Sequence, residues 1–208
     1  KLIASKTNQG PYVARNLALM EAKGEFVTCN DSDDWSHPEK IEKQVVHLIE
    51  NKMIVANTSE LARVTEDLKS FRRGNPGFYI QFNLSSLMFR REIVAEALGA
   101  WDSVRFGADG EFLQRLRLVF GKEKIVRLET GPMLFARQSE TSLTGNSVFG
   151  YPGYFMGARK EYHENAHFYY KNSVNLRYDF PVKKRPFYAP EPMWPVRAIK
   201  TNKRRHFD

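Results

Sequence analysis

Three carboxylates within four residues, Asp31, Asp33 and Asp34, follow directly on the apolar run Phe26-Val27-Thr28-Cys29. A run of that length and composition reads as a buried strand, and Gly24 before it suits the end of a preceding helix. Carboxylates at the carboxyl end of a buried strand stand where open α/β sheets bind their ligands. Crowded aspartates repel one another, so such a cluster calls for a cation or a cationic ligand. The plainer reading is a polar turn, with an Asx or capping role ahead of the helix that Pro38 begins. A second set, Asp109, Glu111 and Arg115, opens a helical stretch over 109–120. An aspartate at that point can also serve as a helix cap.

The cation options narrow on spacing. An EF-hand loop beginning at Asp31 needs an oxygen ligand at its fifth position and Gly at its sixth, and here those are Trp35 and Ser36. Glu42 at the twelfth does not rescue it. An aspartate-dependent phosphatase also places D-x-D after a strand, but Trp35 stands where a small β-branched residue is wanted, so it is kept as the weaker alternative. What remains is a site where one or two carboxylates hold Mn2+ or Mg2+ and a ligand's phosphates complete the shell. His163-Glu164-Asn165-Ala166-His167 matches the zinc pattern H-E-x-x-H, with no third ligand apparent nearby.

The elements that must position these groups follow from periodicity. A helix is predicted over 12–22 (Val13, Leu17, Met20), and a second from Pro38 with the stripe Ile41, Val45, Leu48, Ile49. Strands are expected at 2–5, 53–57, 60–64, 85–89, 125–128 and 133–136. Further helices are expected over 91–98 and 109–120, the latter burying Phe112, Leu113, Leu116 and Val119. Loops are expected at 70–77 and 138–147. Tyr154, Phe155, Ala158, Tyr162, Ala166, Tyr169 and Tyr170 form a stripe along a predicted helix at 151–172, read as packing rather than binding. Alternating strands and helices predict an α/β fold with a mixed, mostly parallel sheet, followed by a C-terminal helix and an extended basic arm.

The 208 residues suffice for a full core, and 42% hydrophobic with 27% charged residues is an ordinary globular composition. The single Cys29 excludes an internal disulfide framework and, with no long apolar run, points to a cytoplasmic protein. The chain begins at Lys1, and a preceding stretch is expected to lie outside it. Of the net charge of +8, +6 falls from Pro181 onward, where eight basic residues face only Glu191 and Asp208. A nucleic-acid domain spreads its basic face over the fold, so no nucleic-acid partner is expected. A basic tail suits peripheral contact with an anionic membrane, or another subunit of a homo-oligomer.

Taken in order, Asn8-x-Gly10, Ala14-Arg15-Asn16-x-Ala18, Ala22-x-Gly24-Glu25-Phe26 and Asp31-Ser32-Asp33-Asp34 followed by Pro38 resemble the inverting family 2 glycosyltransferases of GT-A fold. Arg105-Phe106-Gly107-Ala108-Asp109-Gly110-Glu111-Phe112-x-x-Arg115-Leu116 is similar to that family's second acidic motif. The resemblance spans roughly residues 1 to 145 and begins inside the donor domain, without the stretch that grips the nucleobase. It implies sugar transfer with inversion from a nucleotide-sugar donor, a UDP-sugar foremost, to a glycan or lipid-linked acceptor, as in polysaccharide biosynthesis. By the same likeness Asp31 meets the ribose side of the donor, Asp33 holds the metal (manganese or magnesium) on the diphosphate, and Asp34 supports them. Arg15 and Asn16 match a donor-side segment, Asp109 matches the catalytic base, and Glu111 and Arg115 stand beside it. At Arg137-Gln138-Ser139 many relatives carry a metal-side His, and here Gln138 or Ser139 replaces it. The expected division is a glycosyltransferase domain at 1–147, a helical extension at 148–180 and the arm at 181–208. The competing class is a non-catalytic GT-A-like domain that acts through interaction.

Overall fold

A computed structural model describes residues 1–5, 7–72, 76–138 and 155–195. The chain divides into two compact units that interleave in sequence. One takes residues 24–94 and 116–145 and holds the sheet. The other takes residues 1–23, 95–115 and 146–208 and is helical among its described residues. The boundaries at 147 and 180 read from the sequence run along the chain, whereas these units cross it.

In the first unit, seven strands make one mixed sheet: β1 (Phe26–Thr28), β2 (Trp35–Ser36), β3 (Ala56–Val64), β4 (Ser70–Phe71), β5 (Ile80–Phe82), β6 (Met88–Arg90) and β7 (Ile125–Arg137). The order is β1-β6-β3-β7-β2, with β4 and β5 also paired to β3. The mixed α/β class is as expected, but the parallel share is not. Among the described residues only β3 with β7 is parallel; the other five strand pairings are antiparallel. The reason lies in the connections: several strands return through short links with no crossover helix, which parallel pairing requires. The strands expected at 53–57 and 60–64 fuse into β3, whose register shifts against β7 around Glu60. Those at 125–128 and 133–136 fuse into β7, and residues 2–5 form no strand.

Helix α2 (Lys40–Glu50) corrects the hydrophobic stripe. Ile41 and Ile49 are about half exposed, at 48% and 55%, and the buried face is Lys40, Gln44 and Leu48. The cause is the strand it packs on. β3 is central yet carries Asn57, Thr58, Ser59 and Glu60, all buried, and buried polar groups need polar partners. Gln44 Nε2 donates to Asn57 Oδ1 at 3.0 Å and Asn57 Nδ2 returns a bond to Gln44 O at 2.8 Å. Glu60 accepts from Arg127 Nε and from the Gly131 amide, both at 3.0 Å.

The helical unit contains α1 (Pro11–Glu21), the end of α3 (Arg91–Leu98), the start of α4 (Ala108–Phe120) and α5 (Ala158–Asn172). Pro11 at the first turn of α1 and Asn8 Oδ1 accepting from the Gly10 amide at 3.0 Å set its start. Trp101 stacks on Phe112 with centroids 4.6 Å apart. Val119 of α4 is exposed where burial was expected. Of the aromatic stripe on α5, Tyr162 and Ala166 are buried and Phe155 precedes the helix, exposed; Tyr154 lies outside the described residues. The loop 138–147 beyond Gln138, and the basic tail from 196, also lie outside them. The arm as far as 195 is packed rather than loose: Ala189, Pro190 and Met193 are buried, and Arg105 N donates to Met193 O at 2.8 Å.

Gly99 fixes the arm's path. Its φ is +66°, and a Cβ there would sit 2.1 Å from Tyr178 O, the acceptor of the Ala100 amide. Gly99→Ala is therefore expected to cost more than about 1 kcal/mol from backbone strain alone. Amide exchange at Tyr178, whose N–H bonds Leu98 O at 2.9 Å, should accelerate with it. Unchanged thermal stability would contradict this assignment.

Candidate active site

The acidic turn belongs to the sheet unit. After β1 the Asp34 amide closes back on Asp31 O at 3.2 Å, and β2 then pairs with β7, Trp35 stacking on Phe135 at 5.4 Å. The Arg137 amide donates to Asp34 Oδ1 at 3.1 Å, so Asp34 ties the turn to the end of β7. Asp33 is exposed, and Asp31 and Asp34 are half-buried. Burial pushes the Asp34 carboxyl up; the Arg137 amide opposes this, and the charges of Asp31 and Asp33 add to the rise. Crowded like charge of this kind fits a divalent cation. Among the described residues no three His, Cys, Asp or Glu side chains converge on a common metal position. One or two carboxylates of this turn could hold Mn2+ or Mg2+, with phosphate oxygens of a ligand completing the shell.

Beneath the turn lies a residue the sequence reading passed over. Lys40, the first residue of α2, is 1% exposed. Its Nζ donates to Asn30 Oδ1 at 3.1 Å and lies 3.5 Å from Ser36 Oγ. Burial lowers its pKa, while Cys29, Asp31 and Asp34 act to raise it. Its signal in the sequence was a lysine one turn beyond an acidic cluster, which ordinarily reads as solvated.

Asp109 lies in the other unit, second in α4, with Oδ1 accepting from the Gly110 amide at 2.8 Å. The buried Tyr12 phenol has its pKa driven well up, by burial first and then by the Asp109 carboxylate, with which it also hydrogen-bonds. The Arg15 guanidinium stands 5.3 Å from the Tyr12 ring centroid. His163 of α5 is a further neighbour: burial and then the Arg159 charge lower its pKa, and Asp109 opposes them. Gly107 makes room for it, since a Cβ there would stand 3.2 Å from His163 Nε2. His167 is exposed, and the helical face it shares with Lys160, Glu164 and Phe168 borders a hollow of about 500 Å3. Tyr12 went unread as a site residue and His163 was read only within a zinc pattern, because nothing local ties either to Asp109.

The other expected site residues of this unit face inward. Asn16 is buried, its Nδ2 donating to Trp101 O at 2.8 Å and its Oδ1 accepting from Trp101 N at 2.9 Å. Glu111 and Arg115 are fully buried as an ion pair at 2.7 Å. These three position the backbone around Trp101 and α4.

The fold is of the GT-A type. A solved structure with the same fold is S. aureus TarS 1-349 in complex with UDP-GlcNAc, at a TM-score of 0.54 and 21% identity over 68% of this chain and 43% of that one. Residues 1–96 match the family described as Glycosyl transferase family 2. Curated relatives include an uncharacterized glycosyltransferase of Haemophilus influenzae, 40% identical over 57 residues, which are 27% of this chain and 23% of that protein. Another, from Rickettsia felis, is 36% identical over 74 residues, 36% of this chain and 12% of its own. The matches thus span less than a quarter of the length of these relatives. The family match holds the whole acidic turn and ends before Asp109.

Proposed function

We propose that the chain belongs to an enzyme that transfers a sugar, with inversion, from a nucleoside-diphosphate sugar to an acceptor hydroxyl, with donor-phosphate residues in the acidic turn of the sheet unit and the base, Asp109, in the helical unit. The observation that carries this is the acidic turn at the end of β1, closed on itself and tied to β7 through Asp34. Asp33, exposed, holds the cation; Asp31 takes the ribose side; Arg15 borders the donor. Asp109 accepts the proton of the acceptor hydroxyl as its oxygen bonds the anomeric carbon and the bond to the diphosphate oxygen breaks. A single displacement of this kind inverts the stereochemistry. When bound, the divalent ion neutralises charge on the departing diphosphate. Glycan and lipid-linked acceptors both offer the required hydroxyl.

UDP is the first probe to use, because the TarS structure holds a UDP-sugar. Calorimetry of UDP with Mn2+ is expected to show binding that Asp33→Ala weakens by about tenfold or more. Absence of binding by the wild-type chain, or affinity indifferent to Asp33→Ala, would refute the proposal.

A further inference from the structure

We propose that Lys40 is a positioning residue for the donor, a built-in counter-cation that clamps both ends of the acidic turn. The inference deepens the function proposed above and rests on it for its consequence, though not for its geometry. Lysine is almost never fully buried unless paired, and Lys40 is 1% exposed. Its place is also unfavourable for the helix, because a cation in the first turn opposes the helix dipole. Two costs at one residue call for a local gain.

The gain is visible in the partners. Asn30 and Ser36 bracket the five residues Asp31 to Trp35, one before Asp31 and one after Trp35. Lys40 Nζ reaches both, and Ser36 Oγ also donates to Asn30 Oδ1, so the base of the turn is closed by three side chains. Asn30 Nδ2 passes the restraint on to Asp31 O at 3.0 Å. The carboxylates of Asp31 and Asp34 lie within electrostatic reach of the ammonium. Their mutual repulsion is offset from below, and the turn keeps its shape before any cation arrives. A buried ammonium cannot touch the donor itself. Its effect therefore passes through the turn and falls on donor affinity rather than on the chemical step.

Lys40→Met removes the charge and both contacts while filling the volume; Lys40→Arg keeps the charge and a donor. The first measurement needs no ligand. Amide exchange at Asp34, bonded to Asp31 O within the turn, and at Arg137, bonded from the end of β7 to Asp34 Oδ1, is expected to accelerate about tenfold or more in Lys40→Met, with exchange in β3 unchanged. The second is the affinity for UDP with Mn2+, expected to fall about tenfold in Lys40→Met and to return to within about threefold of wild type in Lys40→Arg. Unaltered exchange at both amides overturns the clamp whatever the affinity does. Faster exchange with unaltered affinity overturns its role toward the donor. If wild type itself binds no UDP, the proposed function fails, and amide exchange alone decides the clamp. Should Lys40→Met not fold, Ser36→Ala removes one arm at a half-buried position and carries the same two readouts in the same directions.

Discussion

Asp109→Asn is expected to lower the rate of sugar transfer by about 10²- to 10⁴-fold, the range that positioned general bases contribute. Affinity for UDP with Mn2+ should stay within about twofold, since an interaction confined to the transition state leaves ground-state binding alone. The substitution is well matched to the question. Asparagine keeps an oxygen where Asp109 Oδ1 meets the Gly110 amide, so the start of α4 retains its acceptor. It also keeps an acceptor for Tyr12. What it loses is the negative charge and the capacity to take a proton. Asp109→Ala, by contrast, also removes the acceptor of the Gly110 amide in the first turn of α4, at about 1 kcal/mol of stability. A rate defect in the alanine variant alone, with transfer by Asp109→Asn intact, would leave Asp109 as a helix-start carboxylate and move the base elsewhere. The measurement is UDP released from a UDP-sugar, with and without acceptor.

Local chemistry made the helix starts and the acidic turn readable. Pro11 and the Asn8-Gln9-Gly10 turn mark α1, and a short β-branched run ending in aspartates marks β1 and its loop. Burial decided by distant partners was not readable. The stripe Ile41, Val45, Leu48, Ile49 is the better hydrophobic face of α2, yet β3 presents Asn57 to that helix. The polar face with Lys40 and Gln44 therefore turns in. The mostly parallel sheet failed for a similar reason: strand direction follows from connections that single-strand patterns do not report. Glu111 and Arg115 show the limit most sharply. The resemblance sets them beside Asp109, and their i, i+4 spacing on a helix says only that they can pair. Only Leu176 and Tyr178, more than sixty positions on, reveal that they are enclosed. Tyr12 and His163 reach the Asp109 neighbourhood from opposite ends of the chain, and no motif spans such a distance.

That enclosure gives the largest stability effect expected in the chain. Arg115 Nη1 donates to Leu98 O at 2.8 Å and Leu176 O at 3.2 Å, and Nη2 to Ala100 O at 2.8 Å. The guanidinium carbon also lies 3.7 Å from the Tyr178 ring centroid. Burial alone would pull the guanidinium pKa down, but the Glu111 carboxylate and its hydrogen bonds more than offset this, and the net shift is upward. Arg115→Ala is expected to destabilise the chain by about 3–5 kcal/mol, because it leaves a buried carboxylate with only the Tyr170 hydroxyl. Urea unfolding measures this directly. The double replacement Glu111→Leu with Arg115→Met separates two explanations. If the charge pair were all that mattered, an apolar pair of similar volume would recover most of the loss. Here Leu176 O and Ala100 O would lose their donor, each at about 1–3 kcal/mol, while Leu98 O would keep only the Tyr178 amide. The double variant should therefore stay well below wild type. Recovery to wild-type stability would show that Arg115 serves Glu111 alone and does not anchor the C-terminal segment to α3 and α4.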